Sequence, residues 1–247
     1  MKSYNTLLKT ELKLSLRGMD MLIFAVIMPV VILVVLGIIY GSMPAFEGAG
    51  YTFIQQSFGA LASIAICAGG VMGLPLVVSD YRSKQILKRF KVTPISPVTI
   101  LFVEVTIYFL YALISLLTLF AVGTIFFGFK MQGSILEFIL GWILVMVSMF
   151  SIGMMVGGIA KNSKVAGIIA SALYFPMLIF SGATLPYEVM PKTMQNMVDF
   201  LPLTQGIKIL KSATLGLPMD NILLPICVMV AIALICSFVA IKFFKWE

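Results

Sequence analysis

Of 247 residues, 61% are hydrophobic and 11% charged. Soluble domains run near ~45–50% and ~25%, so this composition excludes a soluble globular protein and places the chain in the membrane class. The absence of histidine excludes Ser-His-Asp and Cys-His dyads, helix-borne His pairs on zinc and haem ligation through His, while the net charge of +7 has two readings, nucleic acid or an anionic membrane surface.

Residues 3–17 come first. At a helical period Tyr4, Leu7, Leu8, Leu12, Leu14 and Leu16 share one broad face, and Lys2, Lys9, Lys13 and Arg17 gather on the other. The charges alone would satisfy a basic flank that orients the chain. The leucine periodicity favours an amphipathic helix lying at the membrane interface. Gly18 is expected to break it, and Asp20 to cap the next helix.

Six stretches then reach the ~20 apolar residues needed to cross a ~30 Å hydrocarbon core. They are 21–40, 53–79, 98–129, 135–160, 165–185 and 222–241. None alternates with the period of two of a membrane strand. The first apolar run is too long for the core of a signal peptide, so it is expected to be retained. Pro29, Pro75, Pro176 and Pro225 lie inside spans, where membrane helices tolerate them as kinks. The predicted fold is all-α, with six transmembrane helices in one domain covering 1–247.

An even number of spans leaves both termini on one side. With that side cytoplasmic, thirteen of the 17 Lys and Arg lie inside and only Lys130, Lys192, Lys208 and Lys211 outside. The positive-inside rule selects this orientation. The charge then records topology, and nucleic acid is not an expected partner; membrane lipid is.

Between the second and third spans lies SDYRSKQILKRFKVTPISP, residues 79–97, with five cations against Asp80. Ser83 is expected to cap a short helix carrying Ile86, Leu87 and Phe90 on one side, ended by Thr93-Pro94 and Ser96-Pro97. A basic loop that merely fixes orientation would look similar in charge. Beyond the fifth span, residues 186–216 suggest two short helices outside or re-entering the outer leaflet. Pro191 suits a first helical position, Met194, Met197, Val198 and Leu201 follow helical spacing, and Thr204 is placed to cap the second helix, with Ile207 and Leu210 on one face.

Smaller signals remain. Gly153 and Gly157 form a GxxxG pair, read as helix packing. Cys67, Cys227 and Cys236 have no metal spacing and read as small buried hydrophobes. Glu104 sits ~9 Å into the third span at 1.5 Å per residue. An intramembrane acid is a functional candidate; the plainer reading pairs it with a cation of the basic loop. Glu137, two residues into the fourth span, reads as interfacial.

These residues resemble the six-helix permeases of type-2 ABC exporters. Three stretches carry the resemblance: Asp80-Tyr81-Arg82 through Leu87-Lys88-Arg89 to Thr93-Pro94-Ile95-Ser96; Gly153 to Ala166 with Lys161-Asn162-Ser163-Lys164; and Phe180-Ser181-Gly182, Leu185-Pro186, Met190-Pro191 and Leu201-Pro202-Leu203-Thr204. Many relatives carry Glu and Gly-Thr where this chain has Asp80 and Lys84-Gln85.

The resemblance implies that residues 3–17 form a connecting helix and residues 80–92 a coupling helix docking on an ATPase subunit through Asp80, Tyr81, Arg82, Ile86, Leu87, Lys88, Arg89 and Phe90. Lys161, Asn162 and Lys164 would make a second cytoplasmic contact. Ser181, Gly182, Pro186, Pro191, Pro202 and Thr204 would belong to an outer gate. The second and fifth spans of two permease subunits, alike or different, would line the substrate path, with Phe58, Phe175 and Phe180 as wall positions; ordinary packing is the plainer role for these aromatics.

The sequence has no G-x-x-x-x-G-K-[ST] phosphate loop and no Gly-Lys pair. ATP and Mg are therefore expected on a partner ATPase, with no cofactor or metal on this chain, which would not itself be an enzyme. The expected function is export of a hydrophobic or amphipathic molecule, such as a drug, antibiotic, peptide or lipid, across a bacterial or archaeal plasma membrane. The competing class is an autonomous secondary transporter or channel using Glu104; a membrane-embedded enzyme ranks third.

Overall fold

The computed structural model describes residues 2–41, 43–46, 48–86, 96–182, 187, 190–218 and 221–243. Helices dominate. Among the described residues the extended structure is one isolated bridge, Pro44 to Thr52, in the loop between the first two spans.

An N-terminal helix, Lys2–Gly18, precedes the bundle. The left-handed residue that ends it is Met19, at φ 53°, rather than Gly18. Six helices are long and apolar enough to cross a membrane. The first span joins Asp20–Leu22, a π-helical turn Ile23–Ile27 and Met28–Tyr40. The second joins Phe53–Cys67, a π-helical segment Ala68–Gly73 and Leu74–Ser83. The third is Pro97–Phe127, the fourth Ile135–Ile159, the fifth Ser163–Phe180 and the sixth Leu223–Phe243.

The two π segments each lie just before a proline. Proline lacks an N–H, and its ring crowds the carbonyl four residues back. For Pro29 and Pro75 those carbonyls belong to Ala25 and Val71, each inside a π segment. The wider turn is one way to accommodate the ring, while Pro176 sits inside the fifth span without one. The two π segments also lie against each other in the bundle.

Several boundaries differ from expectation. The second span continues as helix to Ser83, so Ser83 is not a new N-cap; its hydroxyl donates to the Asp80 carbonyl at 3.1 Å. The third span stops at Phe127, because Gly128 turns left-handed and sends Phe129 back into the core. The fifth stops at Phe180, just before Gly182 at φ 88°. Cys227 is exposed, not buried, because it falls on the outward face of the sixth span.

The second span is the axis of the fold. It touches the first, third, fourth and fifth spans and the helix Pro202–Leu215. Two close approaches seat it. A methyl group on Gly153 would overlap the Gly70 carbonyl, and one on Gly157 would lie 2.8 Å from Val78 Cβ. The GxxxG pair therefore packs within the chain, fourth span against second. On the other side a methyl on Gly59 would lie 2.9 Å from the Leu210 carbonyl carbon, so Pro202–Leu215 also lies backbone to backbone on this span.

Candidate functional site

At the end expected to face the cytosol, the second span finishes in Asp80, Tyr81 and Arg82. A helix leaves its last carbonyls without intrahelical donors, and they form the negative pole of its dipole. Arg82 reaches across to the fourth span and supplies the missing donors. Its Nη1 donates to the carbonyls of Gly157 at 3.0 Å and Ala160 at 3.1 Å, and also to that of Gly158. The side chain thus ties the end of the second span to the turn between the fourth and fifth. In that turn Asn162 accepts from the Val165 N–H at 2.9 Å and caps the fifth span. Lys161, Asn162 and Lys164 are exposed.

Asp80 pairs with Lys84 at 2.8 Å, one helical turn on and largely exposed, so the pair contributes little. Gln85, at φ 55°, turns the chain out of the helix. Ile86 is half-buried. Leu87, Lys88, Arg89 and Phe90, with the rest of the expected coupling helix to residue 92, lie outside the described residues.

Tyr81 faces the opposite way from Arg82. Its hydroxyl lies 2.7 Å from Glu11 Oε2 and 3.2 Å from Glu104 Oε1. Glu104 is 4% exposed. The expected cationic partner is not found among the described residues; the contact is a phenol. Two further bonds fasten the N-terminal helix to the third span, Tyr4 to Thr106 and Ser15 to Tyr111, both 2.7 Å between oxygens. Leu7 is buried beside them, while Leu14 and Leu16 are exposed. The seating face of this helix is therefore Tyr4, Leu7, Glu11 and Ser15, mixed in polarity. The leucine periodicity finds Tyr4 and Leu7 of this face, with Leu8 and Leu12, which also pack on the core, and misses Glu11 and Ser15. The near-fourfold spacing of Tyr4, Leu7, Glu11 and Ser15 is the signal that reaches them.

At the opposite end, the outer segments form a second constellation. Pro191 precedes the short helix Lys192–Val198 as its N-cap. Val198 is buried, but Met197 points outward at 71% exposure, so the expected apolar face is incomplete. The next helix begins at Pro202 itself, with Leu201 at its cap. Thr204 is consequently inside the helix and buried, and does not cap it. Ile207 and Leu210 are buried as expected. This helix inserts between the second, fourth and sixth spans.

Asp199 links the two short helices. It accepts from Lys208 Nζ at 2.6 Å and from the Tyr187 hydroxyl at 3.0 Å, while Lys208 also sits 4.2 Å from the Tyr187 ring centroid. Burial raises the Tyr187 phenol above its ordinary value, with the Asp199 bond adding to the rise and Lys208 opposing it. Gln205 Nε2 donates to the Asp199 carbonyl at 2.6 Å, and Gln195 Nε2 to the carbonyls of Tyr187 and Met190. Ser181, Thr204 and Gln205 each bury an oxygen with no partner among the described residues. Pro186 lies outside the described residues. No sequence signal singled out Tyr187, Asp199 and Lys208, which come together only through the turn at 199–201.

The three candidate wall aromatics separate. Phe58 is 0% exposed, stacked on Phe129 at 4.3 Å and flanked by Phe138 and Phe120. It is an interior packing residue and presents no surface to a path between chains. Phe175 and Phe180 are 50% and 40% exposed on the fifth span.

This architecture of six apolar spans, an N-terminal helix seated on the third and a buried short helix before the sixth defines a polytopic membrane protein. The ABC-2 type transporter family matches residues 2–215, and the chain belongs to that family. It is 28% identical over 129 residues to the inner membrane transport permease YhhJ of Escherichia coli (strain K12), covering 52% of this chain and 34% of that protein. It is 30% identical over 93 residues to nodulation protein J of Rhizobium leguminosarum bv. viciae, covering 38% of this chain and 34% of the relative. The aligned stretches thus span about a third of the length of these relatives. The chain is a multi-pass membrane component of a transport system.

Proposed function

We propose that this chain is the permease of an ATP-driven exporter, with its termini in the cytosol and ATP hydrolysed on a separate ABC ATPase. Family membership and the absence of a phosphate loop from these 247 residues support the division of labour. The observation that carries the mechanical reading is the Arg82 clasp. Residues 80–92 would dock on the ATPase, and Arg82 joins the root of that segment to the turn holding Lys161, Asn162 and Lys164. A push on one would reach both the second span and the fourth–fifth turn.

ATP can drive transport only if its binding and hydrolysis favour permease states that differ in substrate affinity. A second permease subunit would complete the path along the exposed face of the fifth span, where Phe175 and Phe180 lie. The spans carry few charges, which suits a hydrophobic or amphipathic cargo: a drug, antibiotic, peptide or lipid. Ser181, Gly182, Pro191, Pro202 and Thr204 would shape the outer closure.

Co-purification tests the reading. Tagged chain is expected to bring down an ATP-hydrolysing subunit from its native membrane, and Ile86→Asp with Phe90→Asp to uncouple that subunit's ATPase activity from transport. A permease that never retains an ATPase, and transports unchanged with both substitutions, would sink the proposal.

A further inference from the structure

A cavity of about 460 Å³ lies beside Tyr81, at the root of the proposed coupling segment, and the proposed function gives it no role. Its walls come from the N-terminal helix, the start of the first span, the ends of the second span and its π segment, and the third and fifth spans. The walls are mostly hydrocarbon, with Met21, Leu76 and Val77 among them and the Tyr108 ring alongside. Its polar groups are mainly acceptors: Glu11 and Glu104 both face it. Leu14, 54% exposed, stands at its rim.

Among the described residues the charge in this cavity is unbalanced. Tyr81 has one hydroxyl proton, so it can satisfy Glu11 or Glu104 at any moment, not both. Asp80, also in the wall, is matched by Lys84. No described cation pairs with Glu104, although it is almost fully buried. A buried carboxylate without a counter-charge is costly, so it takes up a proton or recruits a cation. Among the described residues no three ligating side chains come together as a metal site. Apolar walls, an aromatic ring and two carboxylates instead suit an ammonium group on a hydrocarbon body: the charge meets the acids, the ring face favours a cation, and the walls take the hydrocarbon.

We propose that this cavity binds an amphipathic organic cation, its ammonium placed between Glu11 and Glu104 and its apolar part against Leu76 and Val77. Every residue that lines the site belongs to this one chain, so its binding can be read without an ATPase.

The test is calorimetric titration of the full chain in lipid nanodiscs, with empty nanodiscs subtracted and no ATPase present. The probes are tryptamine and its uncharged counterpart tryptophol. Tryptamine is expected to bind saturably at one site, and tryptophol at least tenfold more weakly. Glu104→Gln should weaken tryptamine at least tenfold, and Glu137→Gln, on the exposed start of the fourth span, should leave it unchanged. Leu14→Trp, at the rim and outside the core, should block binding in a chain that remains folded, which keeps the test open if Glu104→Gln does not fold. Equal binding of the two probes, tryptamine binding unaffected by Glu104→Gln or by Leu14→Trp, or no saturable binding would each overturn the proposal. Because no ATPase is present, such a failure leaves the transport reading standing.

Discussion

The second and fifth spans, paired by family resemblance as walls of one path, are opposites in this chain. The apolar stretch of the second is 83% buried, that of the fifth 22%. The second is gripped by glycine contacts to the fourth span and to Pro202–Leu215, and clasped through Arg82. The fifth leans inward on Ala166, Ala170, Tyr174 and Met177 and leaves its other face free. Under the proposed function the difference suits them to different work. A span packed on every side transmits motion, because any shift displaces its neighbours. A span with a free face, as the first, third and sixth also have, keeps surface for lipid, cargo or another chain.

The sharpest way to break this contrast is a matched truncation. Phe58→Ala empties a stacked interior site and should cost about 3–5 kcal/mol, whereas Phe175→Ala removes an exposed ring and should cost under about 1 kcal/mol while altering transport. Denaturant unfolding of the reconstituted chain measures both; equal losses would erase the distinction. Next in size is Gly153→Leu, which must push the fourth span off the Gly70 carbonyl. Overpacking of this kind costs about 1–3 kcal/mol or more, and a loss of the monodisperse peak in detergent chromatography is the expected sign.

Arg82→Ala should follow, leaving the carbonyls of Gly157 and Ala160 without their donor and costing about 2 kcal/mol. Arg82→Lys should recover part of the stability. If neither variant changes the unfolding midpoint, the clasp is not structural. The smallest effect is expected from Asp199→Asn, which removes a half-exposed pair with Lys208 and should cost about 1 kcal/mol or less, diminishing at high salt.

The sequence and the structure agree most closely where a property is local. Fourth-span boundaries set by an apolar run came within one residue, and Ser134 accepts from the Glu137 N–H at 3.4 Å where the run begins. Agreement weakens where a turn decides: Gly128 and Gly182 end the third and fifth spans earlier than hydropathy suggests, because a left-handed glycine stops a helix without changing its polarity. It fails for side-chain partners. Arg82 reads as one more basic loop residue, yet its carbonyl partners lie 75 and 78 positions away. By sign Glu104 reads as the partner of a cation, and among the described residues it meets the Tyr81 hydroxyl.

Composition and periodicity by themselves determined the membrane class, the number of spans and the charge asymmetry between loops. Each is a sum over neighbouring residues: transfer of apolar surface and placement of charge add along the chain, with no reference to distant partners. Only the tertiary structure decided which span lies at the centre, which aromatics are core and which are free, how Asp199 gathers Tyr187 and Lys208, and that Glu11 and Glu104 share one hydroxyl beside a cavity. Those are contacts between separate helices, and the rotation of a helix about its axis is settled by what packs against it.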